Sequence, residues 1–295
     1  MRRLGPLLLL ALCGCGGVLT PAQAPKAPPA PRDLPEIPRS FALMQTTQRK
    51  VDHLKLRVFN LGKLPARGTY VSSMKSWSSH VELDVPLFVI MHPTRGPVVF
   101  DTGLRPEGEA NAAKRLASAG ISPDQIQWVV LSSIHARPFT GFTKATTVVD
   151  RREWAAAKVG DSKGELAALE PALNLQLADL STRPPYGAFD RALDLFGDGT
   201  IFVVDLSGHS PGTLGLWVSL DDGPALLAGD ASWILDNHQD LALPETKEIY
   251  DVARYWRRLY QIKYMQDALP RLVVFPGYDL APLKLQPRAD ISVAR

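Results

Sequence analysis

Cysteine is nearly absent from this chain of 295 residues, because its two cysteines, Cys13 and Cys15, both lie within the first fifteen residues. The remainder of the chain therefore has no disulfide, no thiolate metal ligand and no cysteine nucleophile. Any catalysis by the folded body has to use oxygen and nitrogen groups.

The sequence also lacks a large excess of either charge. The net charge is +3, and Arg2 and Arg3 contribute two of these charges, so no basic face for nucleic acid is predicted. Hydrophobic residues make up 45% and charged residues 21% of the chain. These ordinary globular values exclude a disordered chain and a membrane protein with several spans. Without the tail at its start, the chain keeps a body of about 250 residues, which fits one large domain or two small ones.

A long hydrophobic run is missing as well, and the start of the chain has the pattern of an export signal. Three residues with two positive charges precede an apolar run at 4–12, which is too short to cross a bilayer as a helix. The segment LCGC that ends at Cys15 resembles the bacterial lipobox, so Cys15 is predicted to become a lipid-modified N-terminus. The alternative is a plain secretory signal that is cleaved near Ala22 or Ala24.

Proline is abundant just after this signal, with seven prolines between positions 21 and 38. This composition favours an extended, poorly packing tether. The sequence thus predicts a lipoprotein signal peptide at 1–15, a tether at 16–40 and a folded domain at 41–295. The protein is expected to be exported and lipid-anchored in the bacterial cell envelope, with the membrane as its partner.

The order of apolar patterns predicts a layered α/β fold with two sheets between helices. Residues 160–199 are expected to form a long, partly irregular excursion and are a candidate lid. Strands are predicted at 54–60, 80–91, 97–100, 129–131, 146–149, 200–206, 213–220, 225–228 and 271–275, and helices at 107–119, from 151 onward and at 246–267.

The stretch 129–142 is the first candidate for a site, because its apolar strand stops abruptly at a polar loop that contains His135. Ligands of α/β proteins bind where strands end. Similar loops at 101–104, 207–213 and 229–232 also follow strand ends, and we expect the four loops to converge. A single histidine is more often structural than a ligand. The serine pair just before it lacks a third orienting group for nucleophilic catalysis.

Three motifs along the chain resemble those of the metallo-β-lactamase fold. They are VFDTG at 99–103, GHSPGT at 208–213 and LAGDA at 227–231. The segment FDRALDLFGDGTI at 189–201 is similar to the branch that hydrolyses N-acyl homoserine lactones. The resemblance runs in order and spacing through residues 50–280. It implies a four-layer αββα sandwich.

The metal-binding motif of that family, His-x-His-x-Asp-His, falls on the loop after the strand at 129–131. Only His135 matches it. Ser133 stands in the place of the first histidine, Arg137 in that of the aspartate and Pro138 in that of the last histidine. The resemblance therefore implies a degenerate metal-binding motif.

The other ligand positions implied by the resemblance lie further along the chain. His209 matches a retained ligand, and Asp230 matches the carboxylate that bridges the two metals. Tyr278 occupies the place of the final histidine. Trp233, three residues after the bridging aspartate, stands where lactonases often have tyrosine. The second metal site thus keeps only Asp230.

A two-metal hydrolase is therefore not expected. The fixed charge of Arg137 at ~5 Å would oppose a dication by several kcal/mol even at an effective dielectric of ~20. The first hypothesis is a non-catalytic homologue that binds a ligand or partner, with Asp230, His135 and His209 as relics. The alternative is a hydrolase of lactone or ester bonds that uses one Zn²⁺ or Fe²⁺ at His135, His209 and Asp230. Asp230 and His135 would then be the catalytic residues, and Ser133 or water would complete the set.

Charge suggests a more specific arrangement. If the second cation is lost, a guanidinium is suited to a buried carboxylate, so we expect Arg137 to pair with Asp230. The Tyr278 hydroxyl is expected to donate to a neighbouring polar group. The residues expected to line the cleft are Asp101, Ser133, Arg137, Trp233 and Tyr278.

Aromatic residues are candidates for a pocket that holds a small acyl or lactone ligand. Trp77, Trp233 and Tyr186 could form its wall, although aromatic residues more often belong to a core. His238 is expected to be a solvated loop histidine.

Overall fold

The structure is a computed structural model that describes residues 26–34, 51–103, 108–134, 142, 144–160, 166–167 and 170–293. The predicted signal peptide, including Cys15, lies outside the described residues. So do His135, Arg137 and Pro138 of the candidate metal loop. Within the described ranges, no helix has both the length and the apolar character needed to cross a membrane.

The first sheet contains seven strands. They are β1 (Lys55–Arg67), β2 (His80–His92), β3 (Gly96–Phe100), β4 (Trp128–Val130), β5 (Thr146–Asp150), β6 (Asn174–Ala178) and β12 (Ile291–Val293). Their order is β12-β1-β2-β3-β4-β5-β6. Strands β1 to β3 are antiparallel, whereas β3 to β6 are parallel to one another. The carboxyl ends of β3, β4 and β5 therefore lie at the same edge.

The second sheet contains five strands. They are β7 (Ala192–Asp194), β8 (Ile201–Asp205), β9 (Leu214–Leu220), β10 (Gly223–Gly229) and β11 (Val273–Pro276). Their order is β11-β10-β9-β8-β7, and only the β10–β11 pair is parallel. The carboxyl ends of β10 and β11 are thus neighbours.

Six α-helices are described. They are α1 (Gly68–Val71), α2 (Gly108–Ser118), α3 (Arg151–Ala157), α4 (Leu235–Gln239), α5 (Val252–Ala268) and α6 (Pro282–Leu285). Helix α3 begins after Asp150, whose carboxylate accepts a hydrogen bond from the Arg152 N–H at 2.6 Å. Asp251 caps α5 in the same way through the Arg254 N–H. Both caps satisfy amides that have no partner inside the helix.

The packing of these elements forms four layers. Side chains such as Phe88 and Phe275 from the two sheets share one buried apolar cluster. Leu116 of α2 and Trp154 of α3 cover the other face of the first sheet. Ile262 of α5 covers the outer face of the second sheet. The predicted αββα sandwich is therefore confirmed.

Two predicted elements differ from the structure. The late helix begins at Val252 rather than 246, because Asp251 is its cap and residues 246–248 form a separate 3₁₀ turn. The excursion at 160–199 contains β6 and β7, which are edge strands of the two sheets. Their partly exposed residues carry a weak apolar pattern, so the sequence did not reveal them.

Part of the predicted tether contacts the folded body. Within residues 26–34, Asp33 accepts a hydrogen bond from the Arg257 guanidinium at 2.7 Å. The Tyr260 hydroxyl donates to the Pro28 carbonyl. This described part therefore contacts α5 at two points, although most of its residues are exposed, and the tether remains a prediction.

Candidate functional site

The ends of four strands meet where the two sheets adjoin. Gly229 at the end of β10 has a positive φ of 51°, and a Cβ there would lie 2.4 Å from the Ser132 Cβ after β4. A Cβ on Gly277 after β11 would lie 2.7 Å from the Gly229 carbonyl oxygen. Only glycine permits so close an approach. The predicted convergence of these loops is confirmed for their described parts.

Asp230 lies at this junction and is only 2% exposed. Its Oδ2 accepts a hydrogen bond from the fully buried Ser133 hydroxyl at 2.5 Å. Its Oδ1 accepts one from the Tyr278 hydroxyl at 2.8 Å. Tyr278 therefore donates to a polar neighbour, as predicted, and Asp230 is that neighbour. Ser133 and Tyr278, two of the positions where the resemblance expects histidine, thus donate hydroxyl hydrogen bonds to the same carboxylate.

Asp101, which follows β3, fixes the backbone just before Ser133. Its Oδ1 accepts the Ser132 N–H at 2.8 Å, and its Oδ2 accepts the Ser132 hydroxyl at 2.9 Å. Asp101 has a positive φ of 57°, a conformation that aspartate tolerates better than most residues. Ser132 was not predicted to have this role, because its partner lies 31 residues away in the sequence.

Trp233 lies at the centre of a group of aromatic rings beside Asp230. Its ring centroid is 5.3 Å from that of Tyr70, 5.8 Å from that of His209 and 5.9 Å from that of Tyr278. Trp233 is 5% exposed, and its indole N–H has no hydrogen-bond partner among the described residues. Burial, together with nearby carboxylates, raises the pKa of Tyr70 to about 12, so its hydroxyl stays protonated.

Asn237 supports the Trp233 loop and was missed in the sequence. Its Oδ1 accepts the N–H groups of Trp233 and Ile234 at 2.8 and 2.9 Å. Its Nδ2 donates to the carbonyls of Val71 and Ala242 at 2.9 and 2.8 Å. Both the oxygen and the nitrogen of the side-chain amide therefore make two hydrogen bonds each, and these bonds fix the orientation of the Trp233 loop. An asparagine in a short polar stretch has no sequence signal for this role.

His238 is fully buried in α4, so the prediction of a solvated loop histidine was wrong. Its Nδ1 lies 2.9 Å from the Ser232 hydroxyl. Burial lowers the pKa of His238 to about 3, so the imidazole is neutral at physiological pH. The packing of α4 next to α5 removes it from water, which a local pattern does not reveal.

Two aromatic candidates do not contribute to the site. Tyr186 stacks on Phe202 with ring centroids 4.1 Å apart, in the cluster on the outer face of the second sheet. Trp77 is 54% exposed, with the Arg67 guanidinium above its ring. Of the predicted aromatic wall, Trp233 alone is at the junction that contains Asp230.

A two-metal set does not fit the described residues. Ser133 and Tyr278, in the places of two histidine ligands, donate hydrogen bonds to Asp230 instead of offering imidazoles. Within the described ranges, no group of three His, Cys, Asp or Glu side chains could hold a metal ion. His209 and Asp230 are described, but His135 is not, so the predicted set for one metal ion remains a prediction. The pairing of Arg137 with Asp230 also remains a prediction.

A cavity of about 410 Å³ lies elsewhere, near the amino ends of β10 and β11. Arg288 on its wall donates to Asp290 at 2.6 Å and to the Gly223 carbonyl. The guanidinium of Arg288 therefore has a structural role. We assign the candidate site to the junction around Asp230, because carboxylate, hydroxyl and imidazole side chains lie close together there.

Comparison with known proteins shows that the sequence is similar to N-acyl homoserine lactonases. No family model matches the sequence. The N-acyl homoserine lactonase AttM of Azorhizobium caulinodans is 28% identical over 267 residues, which cover 76% of this chain and 98% of that protein. AttM of Agrobacterium fabrum is 27% identical over 258 residues, which cover 77% of this chain and 93% of that protein.

Solved structures show the same fold. A quorum-quenching N-acyl homoserine lactone lactonase matches with a TM-score of 0.64 and 21% identity, over 80% of this chain and 95% of that one. An N-acyl homoserine lactone hydrolase has the same TM-score at 19% identity, over 80% of this chain and 96% of that one. In that structure, the product N-hexanoyl-L-homoserine is bound at the catalytic metal centre.

Proposed function

We propose that this chain, which has a metallo-β-lactamase-like fold and is similar to N-acyl homoserine lactonases, hydrolyses lactone or ester bonds with one metal ion. The proposed ligands of a Zn²⁺ or Fe²⁺ ion are His135, His209 and Asp230. The main support is the similarity to AttM, which extends over 98% of that lactonase. The proposed substrate is a small acyl lactone or a related ester.

The described residues suggest how such a substrate would be bound. A single metal ion would act as a Lewis acid on the substrate carbonyl. Asp230 would accept the proton of the attacking water and return it to the alcohol oxygen as the acyl C–O bond breaks, while the Tyr278 hydroxyl at 2.8 Å holds its carboxylate in place. The apolar rings of Trp233 and Tyr70 would exclude water from the acyl chain.

The second candidate function is binding without catalysis. It is favoured by the hydrogen bonds from Ser133 and Tyr278 to Asp230, which satisfy the carboxylate with neutral donors. Such a protein would bind an acyl lactone, or a partner that presents one, without hydrolysing it. The same residues would then form a ligand site without metal.

Metal content and turnover measured on one preparation separate the two candidates. About one equivalent of zinc or iron, hydrolysis of N-acyl homoserine lactones, and loss of both in His209→Ala are expected for the enzyme. His80→Ala is a matched control, because His80 is exposed and distant in sequence from the proposed ligands. A metal-free protein that binds an acyl lactone by calorimetry and leaves it intact would establish the second candidate instead.

We also propose that the protein is an exported lipoprotein. A lipid on Cys15 would anchor it in the membrane, and the segment at 16–40 would connect this anchor to the folded domain. The support is the lipobox-like sequence after a short apolar run. Cys15→Ser should abolish incorporation of a labelled fatty acid in bacterial cells, while Cys13→Ser should retain it. Equal labelling of both variants would contradict the anchor at Cys15.

A further inference from the structure

Glu153 is a buried carboxylate in the first turn of α3 and is 5% exposed. Its Oε1 accepts the Ile134 N–H at 3.0 Å. Its Oε2 accepts the Ser210 hydroxyl at 2.6 Å and the Gly212 N–H at 3.0 Å. One side chain thus receives three hydrogen bonds from two separate loops, and it touches neither Asp230 nor Tyr278 through any of them.

The two loops carry the histidines of the candidate site. Ile134 directly precedes His135, and Ser210 directly follows His209. Glu153 therefore connects the immediate neighbours of both histidines. The two oxygens of the carboxylate are at a fixed distance from each other, and each accepts hydrogen bonds from a different loop. If one loop moves relative to the other, at least one of these hydrogen bonds has to break.

Close packing reinforces this connection. A Cβ on Gly212 would lie 2.6 Å from the Glu153 backbone nitrogen and 2.7 Å from an Asp150 carboxylate oxygen. The loop at 207–213 thus lies directly on the first turn of α3. Any side chain at position 212 would push this loop away from the helix.

The role of Glu153 differs from that of an ordinary helix cap. Asp150 at the N-cap and Glu153 three residues later have the spacing of a capping box, in which the glutamate bonds back to the cap. In this structure, both Glu153 oxygens are used by the loops instead. Burying a carboxylate is costly unless it is well bonded, so the three donors have to be in place together.

We propose that Glu153 is a positioning residue that sets the placement of the loop at 207–213, which carries His209, relative to the backbone at Ile134. The proposal deepens the proposed function, on which its catalytic part rests. Without Glu153, each loop is held by the rest of the fold, but their relative placement is no longer fixed by a shared group. The imidazole of His209 would then spend less time in the position that the proposed function requires.

The first test measures amide hydrogen exchange in the full chain and does not depend on activity. Glu153→Ala should accelerate exchange about tenfold at both the Ile134 and Gly212 amides, because each loses its acceptor. Ser210→Ala should accelerate exchange in the loop at 207–213 and leave Ile134 unchanged. Glu170→Gln is the control, because Glu170 is a partly exposed glutamate whose described ion pair is with Lys158. Unchanged exchange at either amide in Glu153→Ala, or an equal increase throughout both sheets, would overturn the proposal.

The second test compares kcat with KM for an N-acyl homoserine lactone. Glu153→Ala should lower kcat about ten- to a hundredfold, as is usual for residues that orient metal ligands, with little change in KM. Glu153→Gln retains one acceptor oxygen and should recover part of kcat. A wild-type protein without turnover would refute the proposed hydrolysis, and the exchange measurement would then decide the role of Glu153 by itself. Wild-type kcat in Glu153→Ala would refute the positioning role.

Discussion

Two regions of the molecule hold carboxylates in contrasting ways. Beneath α5, the Arg258 guanidinium bonds Asp190 at 2.5 Å and lies 3.4 Å from Asp205. Arg152 of α3 reaches Asp205 at 3.1 Å. At the candidate site, the donors described for Asp230 and Glu153 are hydroxyl and amide groups. These donors belong to Ser133, Tyr278, Ile134, Ser210 and Gly212.

Among the described contacts, the difference separates a region held by ion pairs from a candidate site held by uncharged donors. A guanidinium neutralises its carboxylate and holds it permanently, since arginine stays protonated. A hydroxyl or amide donor satisfies a hydrogen bond and leaves the negative charge in place. The arginine network should therefore determine stability, whereas the neutral donors should determine the geometry and affinity of the site.

The largest expected effect comes from removing the central cation of the arginine network. Arg258→Ala removes the cation that Asp190 and Asp205 share, while Arg257 still pairs with Asp190 and Arg152 with Asp205. The free energy of unfolding should fall by about 2–3 kcal/mol, as for the loss of hydrogen bonds to charged groups. Arg254→Ala is the control, because its ion pair with Asp251 is half exposed and should contribute less than about 1 kcal/mol. Urea denaturation of both variants measures the difference. Equal losses would remove the contrast between the two regions.

Acid should weaken the same network. Burial raises the pKa of Asp190, but Arg257 and Arg258 outweigh it and lower this pKa to about 2, below its ordinary 3.8. The contribution of Asp190 is therefore present above pH 3.8 and is lost as the pH falls towards 2. It amounts to about 2 kcal/mol at most, reduced by solvent screening. The gap in unfolding free energy between wild type and Asp190→Asn should narrow over this range. A gap independent of pH would show that the arginines do not act through charge.

The smallest effect on stability is expected from the hydroxyl donors of the site. Tyr278→Phe removes one hydrogen bond from Asp230 and should cost about 1 kcal/mol, since water can reach the partly exposed position. Affinity for an acyl lactone, measured by calorimetry, should change more than stability does. Ser133→Ala is the companion variant at the fully buried donor. A large loss of stability in Tyr278→Phe, with unchanged affinity, would show that this hydroxyl stabilises the fold, as the arginine network does, and does not contribute to ligand binding.

Local patterns predicted the sandwich because each layer has its own signal. The strand at 80–91 alternates, and the apolar positions of the helix around Trp256 and Leu259 recur at helical spacing. Asp230, Tyr278 and Ser133 were also predicted as site residues, through motifs whose order survives in the sequence. His238 was placed incorrectly, and for Tyr186 the core alternative proved right, because a residue's burial depends on what packs against it.

The sequence by itself determined which residue types are available at the site: hydroxyls where the related motif has imidazoles, and no cysteine in the folded body. Only the tertiary structure decided which of them meet. Ser133 lies 97 residues from Asp230, and Glu153 lies 57 residues from Ser210, yet each pair is within hydrogen-bonding distance. Local periodicity carries no record of such pairs, since they form when two sheets pack and bring the ends of distant strands to one edge.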